Sequence, residues 1–174
     1  FLMVHLILGG RRSGKTAFAE QCARNAAPQG TLPLYVATAE PFDDEMSARI
    51  DAHQKSRGDR WRTAEVPIDV DIFISDLSDD DSVVIDCLTV WLTNLIVHEI
   101  DTHASIGRLC DALKQSHARL FIVSNETSLG ICPSEPMSRD FLDSAGLLHQ
   151  NIASFANRVD LVVAGLPLSL KTSS

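Results

Sequence analysis

The chain has 174 residues, enough for one domain, taken as residues 1–174, with a full hydrophobic core. Apolar residues make up 45% and charged residues 22%, the mix of an ordinary soluble globule. Fifteen basic against 23 acidic residues leave a net charge of −8, which argues against a general nucleic-acid binder while leaving room for a local phosphate pocket. The apolar run from Val4 to Leu8 is too short to cross a membrane or to serve as a signal segment. Cys22, Cys87, Cys110 and Cys132 show no paired or zinc-type spacing, so they read as small buried side chains in a reducing, cytoplasmic setting.

In chain order, short apolar runs alternate with amphipathic stretches. Met3 to Leu8 reads as a buried strand and ends in a glycine loop. Lys15 to Asn25 reads as a helix, with Phe18, Ala19, Cys22 and Ala26 at helical spacing. Leu34 to Thr38 is a second strand. Asp43 to about Arg57 is a helix, capped by Asp43, with Met46 and Ile50 on one face. Trp61 to Val66 is a short strand and Val70 to Leu77 a short helix. Ser82 to Asp86 is a strongly apolar strand, followed by helices over Leu88 to Val97 and Ile106 to His117. Leu120 to Ser124 is a buried strand, and Glu126 to Pro136, with Gly130, Pro133 and Pro136, a loop. A long helix from Ser138 to about Asn157 and a last strand from Leu161 to Ala164 complete the pattern. Near-continuous apolar strands separated by helices predict a mostly parallel sheet covered on both faces.

Gly9-Gly10-Arg11-Arg12-Ser13-Gly14-Lys15-Thr16 fits the phosphate-binding pattern G-x-x-x-x-G-K-[ST]. Glycines let the backbone curl so that successive N–H groups face phosphate oxygens, and the helix that starts there adds its positive end. Lys15 would reach the terminal phosphates, and the Thr16 hydroxyl would ligate Mg²⁺. The motif sits between a predicted strand and a predicted helix, the context it requires. Val83-Val84-Ile85-Asp86 adds an acidic strand end, where Asp86 would hold Mg²⁺ directly or through water. The fold class expected is therefore α/β, P-loop NTPase-like and RecA-like.

The loop alone does not separate a small-molecule kinase, an ATPase, a nucleotidyltransferase and a non-catalytic GTP-binding switch. Ala37-Thr38-Ala39 ends the second strand on the edge where ligands collect. Met46, Ile50 and His53 are spaced i, i+4, i+7, so His53 shares their inward face, either as a packing residue, the commoner case, or as a nucleophile. Arg49 and Arg57 are phosphate clamps or solvated ion-pair partners, Glu45 lying four residues before Arg49. His98 and His103 are spaced one residue too far apart for a zinc helix motif and read as helix-end residues. His5, Trp61 and Trp91 read as structural.

The segments GGRRSGKT (9–16), YVATAEPFDDEMSARI (35–50), His53, WRTAE (61–65), VVIDCLTVWLTNL (83–95), VSNE (123–126) with the following Gly130 and Pro133, and RDFLDSAG (139–146) together resemble the bifunctional adenosylcobinamide kinase and adenosylcobinamide-phosphate guanylyltransferase family of cobalamin biosynthesis. The resemblance covers nearly the whole chain. It implies phosphorylation of the aminopropanol hydroxyl of adenosylcobinamide by ATP or GTP, then transfer of GMP from GTP through a guanylylated His53. It implies nucleotide contacts from the glycine loop, from Ala37, Thr38 and Ala39, from Gln54, Lys55, Ser56 and Arg57, and from Glu65 and Asp86, with Lys15 and His53 catalytic. It further implies a corrinoid partner and a homotrimer. A P-loop kinase lacking the covalent step and a non-catalytic GTP switch are the competing readings. The chain departs from the family at Asp86, usually a glutamate, at Ser128, usually a glycine, at Ser134-Glu135, usually Glu-Asn, and at His149, usually an asparagine.

Overall fold

The computed structural model describes residues 3–40 and 58–172. Seven strands form one sheet: β1 (Met3–Gly9), β2 (Leu34–Ala37), β3 (Arg62–Glu65), β4 (Ser82–Asp86), β5 (Arg119–Asn125), β6 (Arg158–Val163) and β7 (Leu166–Thr172). Their order is β3-β2-β4-β5-β1-β6-β7. All neighbours are parallel except β6 and β7, which pair antiparallel. The described helices are α1 (Lys15–Ala26), α2 (Val70–Ser75), α3 (Leu88–Val97), α4 (Thr102–Gln115) and α5 (Pro136–Phe155), with a 3₁₀ turn at Gly58–Arg60.

The apolar strands are buried on both faces, and their residues alternate between two cores. Val4, Leu6, Leu8, Val83, Ile85, Leu120 and Ile122 point to the larger core, packed by α2 to α5. Ile7, Val84, Phe121 and Val123 point to the other, which α1 closes with Phe18, Ala19, Cys22 and Ala23. A mostly parallel sheet with helices on both faces is the architecture expected above. At roughly 25 cal/mol per Å² of apolar area removed from water, these two layers are the main force holding the strands in register.

Several boundaries differ from the sequence reading, each for a local reason. α4 starts at Thr102, not Ile106, because the Asp101 carboxylate accepts from the Ala104 N–H at 2.9 Å and caps a first turn that has no apolar stripe. α5 starts at Pro136, not Ser138: Glu135 accepts from the amides of Met137 and Ser138, and proline occupies a position whose N–H needs no partner. β6 begins at Arg158, three residues early, where it pairs with β1. β7 was not expected at all. Ala164 (φ 53°) and Gly165 (φ 79°) make a two-residue turn of the kind that folds a hairpin, and β7 returns along the edge. Cys132 is exposed rather than buried, while Cys87 and Cys110 are buried as read and all four thiols are free. The predicted helix over 43–57 lies outside the described residues.

Candidate functional site: a phosphate cradle at the carboxyl edge of the sheet

β1 ends at Gly9, and the loop to α1 closes on itself where the Ser13 N–H donates to the Gly10 carbonyl at 3.2 Å. Arg12 (φ 56°) and Gly14 (φ 93°) take left-handed backbone, which turns the loop inward. A side chain on Gly9 would fall 2.4 Å from Ser13 Oγ and 2.7 Å from the Val162 carbonyl oxygen, so only glycine fits there. Gly14 caps α1 without a side-chain hydrogen bond, leaving the helix N-terminus open to an anion. Two outside bonds brace the loop: the Glu126 N–H donates to the Gly9 carbonyl at 3.0 Å, and the Gly165 N–H to the Ser13 carbonyl at 2.8 Å.

Lys15 is buried, and its ammonium donates to the Gly10 carbonyl at 3.0 Å. A buried cation against a carbonyl dipole is poorly compensated and favours an incoming anion. Ser13 Oγ is buried without a partner among the described residues, a second polar atom suited to a phosphate oxygen. Arg11 and Arg12 are exposed at the loop's tip.

Asp86 ends β4, which is separated from β1 by β5. The Thr16 hydroxyl donates to Asp86 Oδ2 at 2.8 Å, and the Tyr35 hydroxyl donates to the same oxygen at 2.7 Å. Tyr35 is itself held edge-on against Trp61, with ring centroids 6.1 Å apart. A hydroxyl and a carboxylate converging in this way are hard oxygen donors that suit Mg²⁺, which takes few protein ligands and completes its shell from phosphates and water.

Ala37 pairs in register with both Asp86 and Glu65, so these three form a row across the carboxyl ends of β4, β2 and β3. Thr38 is fully buried, and its groups are committed to internal bonds. Its hydroxyl donates to the Cys87 carbonyl at 2.8 Å and accepts from the Cys87 N–H at 2.9 Å. Its N–H meets the Asp86 carbonyl at 3.1 Å, and its own carbonyl accepts from Asn94 Nδ2 at 2.7 Å. Thr38 thus clamps β2 to the β4–α3 junction, and Ala39, half-buried, follows at the rim. His53, Gln54, Lys55, Ser56 and Arg57, with Glu45 and Arg49, lie outside the described residues.

The structure gives contacts to residues that the sequence reading named only within matching segments or as departures. Tyr35 reaches Asp86 from 51 residues away. Asn125 stands opposite Gly9, with Nδ2 donating to Thr89 Oγ1 at 2.8 Å. Glu126, next along, accepts from the N–H of Ser128 at 2.6 Å and also from its hydroxyl. Buried beneath them, His149 shares a 2.7 Å hydrogen bond with the Ser124 hydroxyl. Burial pushes its pKa below the ordinary histidine value, against an upward pull from Glu126. Asn125 and Glu126 fall in the matching segment VSNE, Tyr35 opens the segment 35–50 and His149 stands among the departures, but nothing in the spacing gives their partners.

Comparison with known proteins shows the family. Residues 5–170 match the protein family described as cobinamide kinase / cobinamide phosphate guanyltransferase. The chain is 42% identical over 172 residues to the bifunctional adenosylcobalamin biosynthesis protein CobP of Pseudomonas aeruginosa, covering 97% of this chain and 98% of that protein. It is 37% identical to the bifunctional adenosylcobalamin biosynthesis protein CobU of Salmonella typhimurium, covering 97% of this chain and all of that protein. Among solved structures, the flagellar accessory protein FlaH of Methanocaldococcus jannaschii superposes with a TM-score of 0.52 at 11% identity over 98% of this chain and 79% of that one, a likeness of fold alone. The fold is thus the RecA-like P-loop architecture, and the chain belongs to the cobinamide kinase / cobinamide phosphate guanyltransferase family of transferases.

Proposed function

We propose that this chain phosphorylates adenosylcobinamide and then transfers GMP from GTP to the product, giving adenosylcobinamide-GDP. The observation that carries the reading is the phosphate cradle, with Lys15 buried in it and Thr16 bonded to Asp86, in a chain that matches the family from residue 5 to 170. The reading takes residues 1–174 as one catalytic domain that uses ATP or GTP with Mg²⁺ and assembles as a homotrimer.

In the first reaction the acceptor's hydroxyl oxygen attacks the γ-phosphorus. An O–P bond forms, the bond to the bridging oxygen breaks, the nucleoside diphosphate leaves with that electron pair, and the hydroxyl proton passes to solvent. Lys15, the Ser13 hydroxyl and the loop amides hold the phosphates and stabilise the charge that moves onto the leaving oxygen. Mg²⁺, held by Thr16 and Asp86, would neutralise phosphate charge.

In the second reaction a neutral His53 ring nitrogen attacks the α-phosphorus of GTP and pyrophosphate leaves. The phosphate oxygen of adenosylcobinamide phosphate then attacks that phosphorus, and the N–P bond breaks to free the imidazole. The covalent intermediate divides one transfer into two easier displacements.

The test is GTP labelled at the α-phosphate. Label should remain on the protein in an acid-labile, alkali-stable linkage, while γ-label should not. His53→Ala should lose the adduct yet retain much of the phosphorylation of adenosylcobinamide. An adduct persisting in His53→Ala would assign the chemistry to another residue.

A further inference from the structure

α3 leaves the carboxyl end of β4 and packs on the larger core. Asn94 Nδ2 donates to the carbonyls of Thr38 and Pro67, residues just past the ends of β2 and β3, and Trp91 Nε1 donates to the Ile68 carbonyl at 2.7 Å. Trp91, Leu92 and Leu95 face the core, which turns the stripe Thr93, Ile96 and Val97 outward. Opposite that stripe stand Met137 and Phe141, on the first turns of α5. Between the two helices lies an apolar groove of about 430 Å³ that Pro133 and Leu142 help to line.

Beyond Leu142 a second cavity, of about 510 Å³, is of different chemistry: Ser128, Arg139, Asp143 and Gln150 bring polar groups to it. The strand-to-helix loop that serves both cavities begins at Glu126, whose N–H is bonded to Gly9 of the cradle. Large apolar side chains lie exposed on the loop and on both helices: Leu129 at 82% and Ile131 at 97% on the loop, Val97 at 58% on α3 and Met137 at 63% on α5. Such a patch, next to concave space, marks a binding surface.

We propose that the groove between α3 and α5 seats the macrocycle of the corrinoid acceptor, whose amide-bearing rim reaches the polar cavity across Leu142. This rests on the function proposed above. A corrinoid has broad hydrocarbon faces and a periphery of amides, so it needs an apolar trough beside a set of donors and acceptors. The two cavities supply that pairing around one residue. The loop between them ties the seat to the phosphate cradle, so a tethered hydroxyl on the bound macrocycle approaches the γ-phosphate from the β5 side.

Val97→Asp and Met137→Glu test the seat at exposed positions where a charge leaves the core intact. With adenosylcobinamide and ATP, each should raise the KM for adenosylcobinamide at least tenfold, leave the KM for ATP within twofold, and leave the Kd for GTP unchanged. Met137→Leu should restore the parent value. Parent protein that does not phosphorylate adenosylcobinamide at all would overturn the proposed function itself. Active parent protein with an unchanged corrinoid KM in both variants would overturn the seat alone. Variants that alter the mass in solution, with no change in that KM, would also overturn it and assign the groove to contact with a second copy.

Discussion

The hydroxyls of Thr16 and Tyr35 donate to one and the same oxygen of Asp86, at 2.8 and 2.7 Å. One donor belongs to the phosphate loop and the other to a neighbouring strand, so the carboxylate is clamped between the nucleotide side and the sheet. Tyr35→Phe keeps the ring and its packing on Trp61 but removes the second clamp. A hydrogen bond to a charged group contributes roughly 1.5–3 kcal/mol. Turnover should therefore fall by at least about tenfold, with the Mg²⁺ titration displaced to higher concentration. Metal-free GTP affinity, measured by calorimetry, should stay as in the parent; an unchanged Mg²⁺ titration would remove Tyr35 from this role.

Lys15→Ala should weaken both proposed activities together, since both use one cradle. The loss of the buried ammonium should reduce GTP affinity by at least tenfold, about 1.4 kcal/mol. Titration calorimetry of parent and variant checks it, and equal affinities with undiminished turnover would show that the lysine does not serve the phosphates.

Gly9→Ala tests the shape of the loop rather than its charge. The added carbon would stand 2.4 Å from Ser13 Oγ and 2.7 Å from a backbone carbonyl, and the carbonyl cannot swing away as a side chain could. Overpacking of this kind costs about 1–3 kcal/mol. The expected result is a lower denaturation midpoint and weaker triphosphate binding, whereas Gly10→Ala, with open space around it, should change stability little. Equal behaviour of the two variants would contradict the observed loop.

Two buried histidines set a pH dependence of stability. Burial lowers the pKa of His5 despite the opposing pull of its hydrogen bond to Asp160, and burial lowers that of His149 likewise. In both cases the folded value lies below the unfolded one. At pH above about 6.5 neither state is protonated there, and nothing is lost. As pH falls through 6.5, the unfolded chain takes up the proton first, so stability declines, by at most about 1.4 kcal/mol per pH unit for each residue. Urea unfolding at pH 8 and pH 5.5 should show His149→Asn less sensitive to acid than the parent. A variant of equal or greater sensitivity would mean that His149 is not the group that titrates.

Where burial alone determined structure, the sequence was legible. β4 and α3 fall on the residues expected, Ser82–Asp86 and Leu88–Val97, because a strand buried on both faces is a continuous apolar run. β7 obeys another rule. Leu166, Leu168 and Leu170 alternate with Pro167, Ser169 and Lys171, the period of a strand at the sheet's edge, and a search for continuous runs passes over it. Side-chain pairs set by register were out of reach. His5 meets Asp160 only because β1 and β6 pair as they do, whereas Arg158 reaches the same carboxylate from two residues away on its own strand. The Tyr35 to Asp86 bond likewise depends on β2 lying beside β4. The glycine loop was visible from local spacing alone, since its conformation is written in its own glycines.

The bond from Gly165 to the carbonyl of Ser13 gives the far end of the chain a hand on its beginning. A side chain at Gly14 would come within 3.1 Å of Gly165 Cα, so the two turns are fitted to one another. An engineer who shortened the protein at Val163 would keep every residue of the glycine motif, yet would leave that loop braced on one flank only. Grip on the triphosphate would slacken without any change to a residue expected to touch it. The effective binding motif is therefore longer than its eight contiguous letters, and its last member lies about 150 residues downstream.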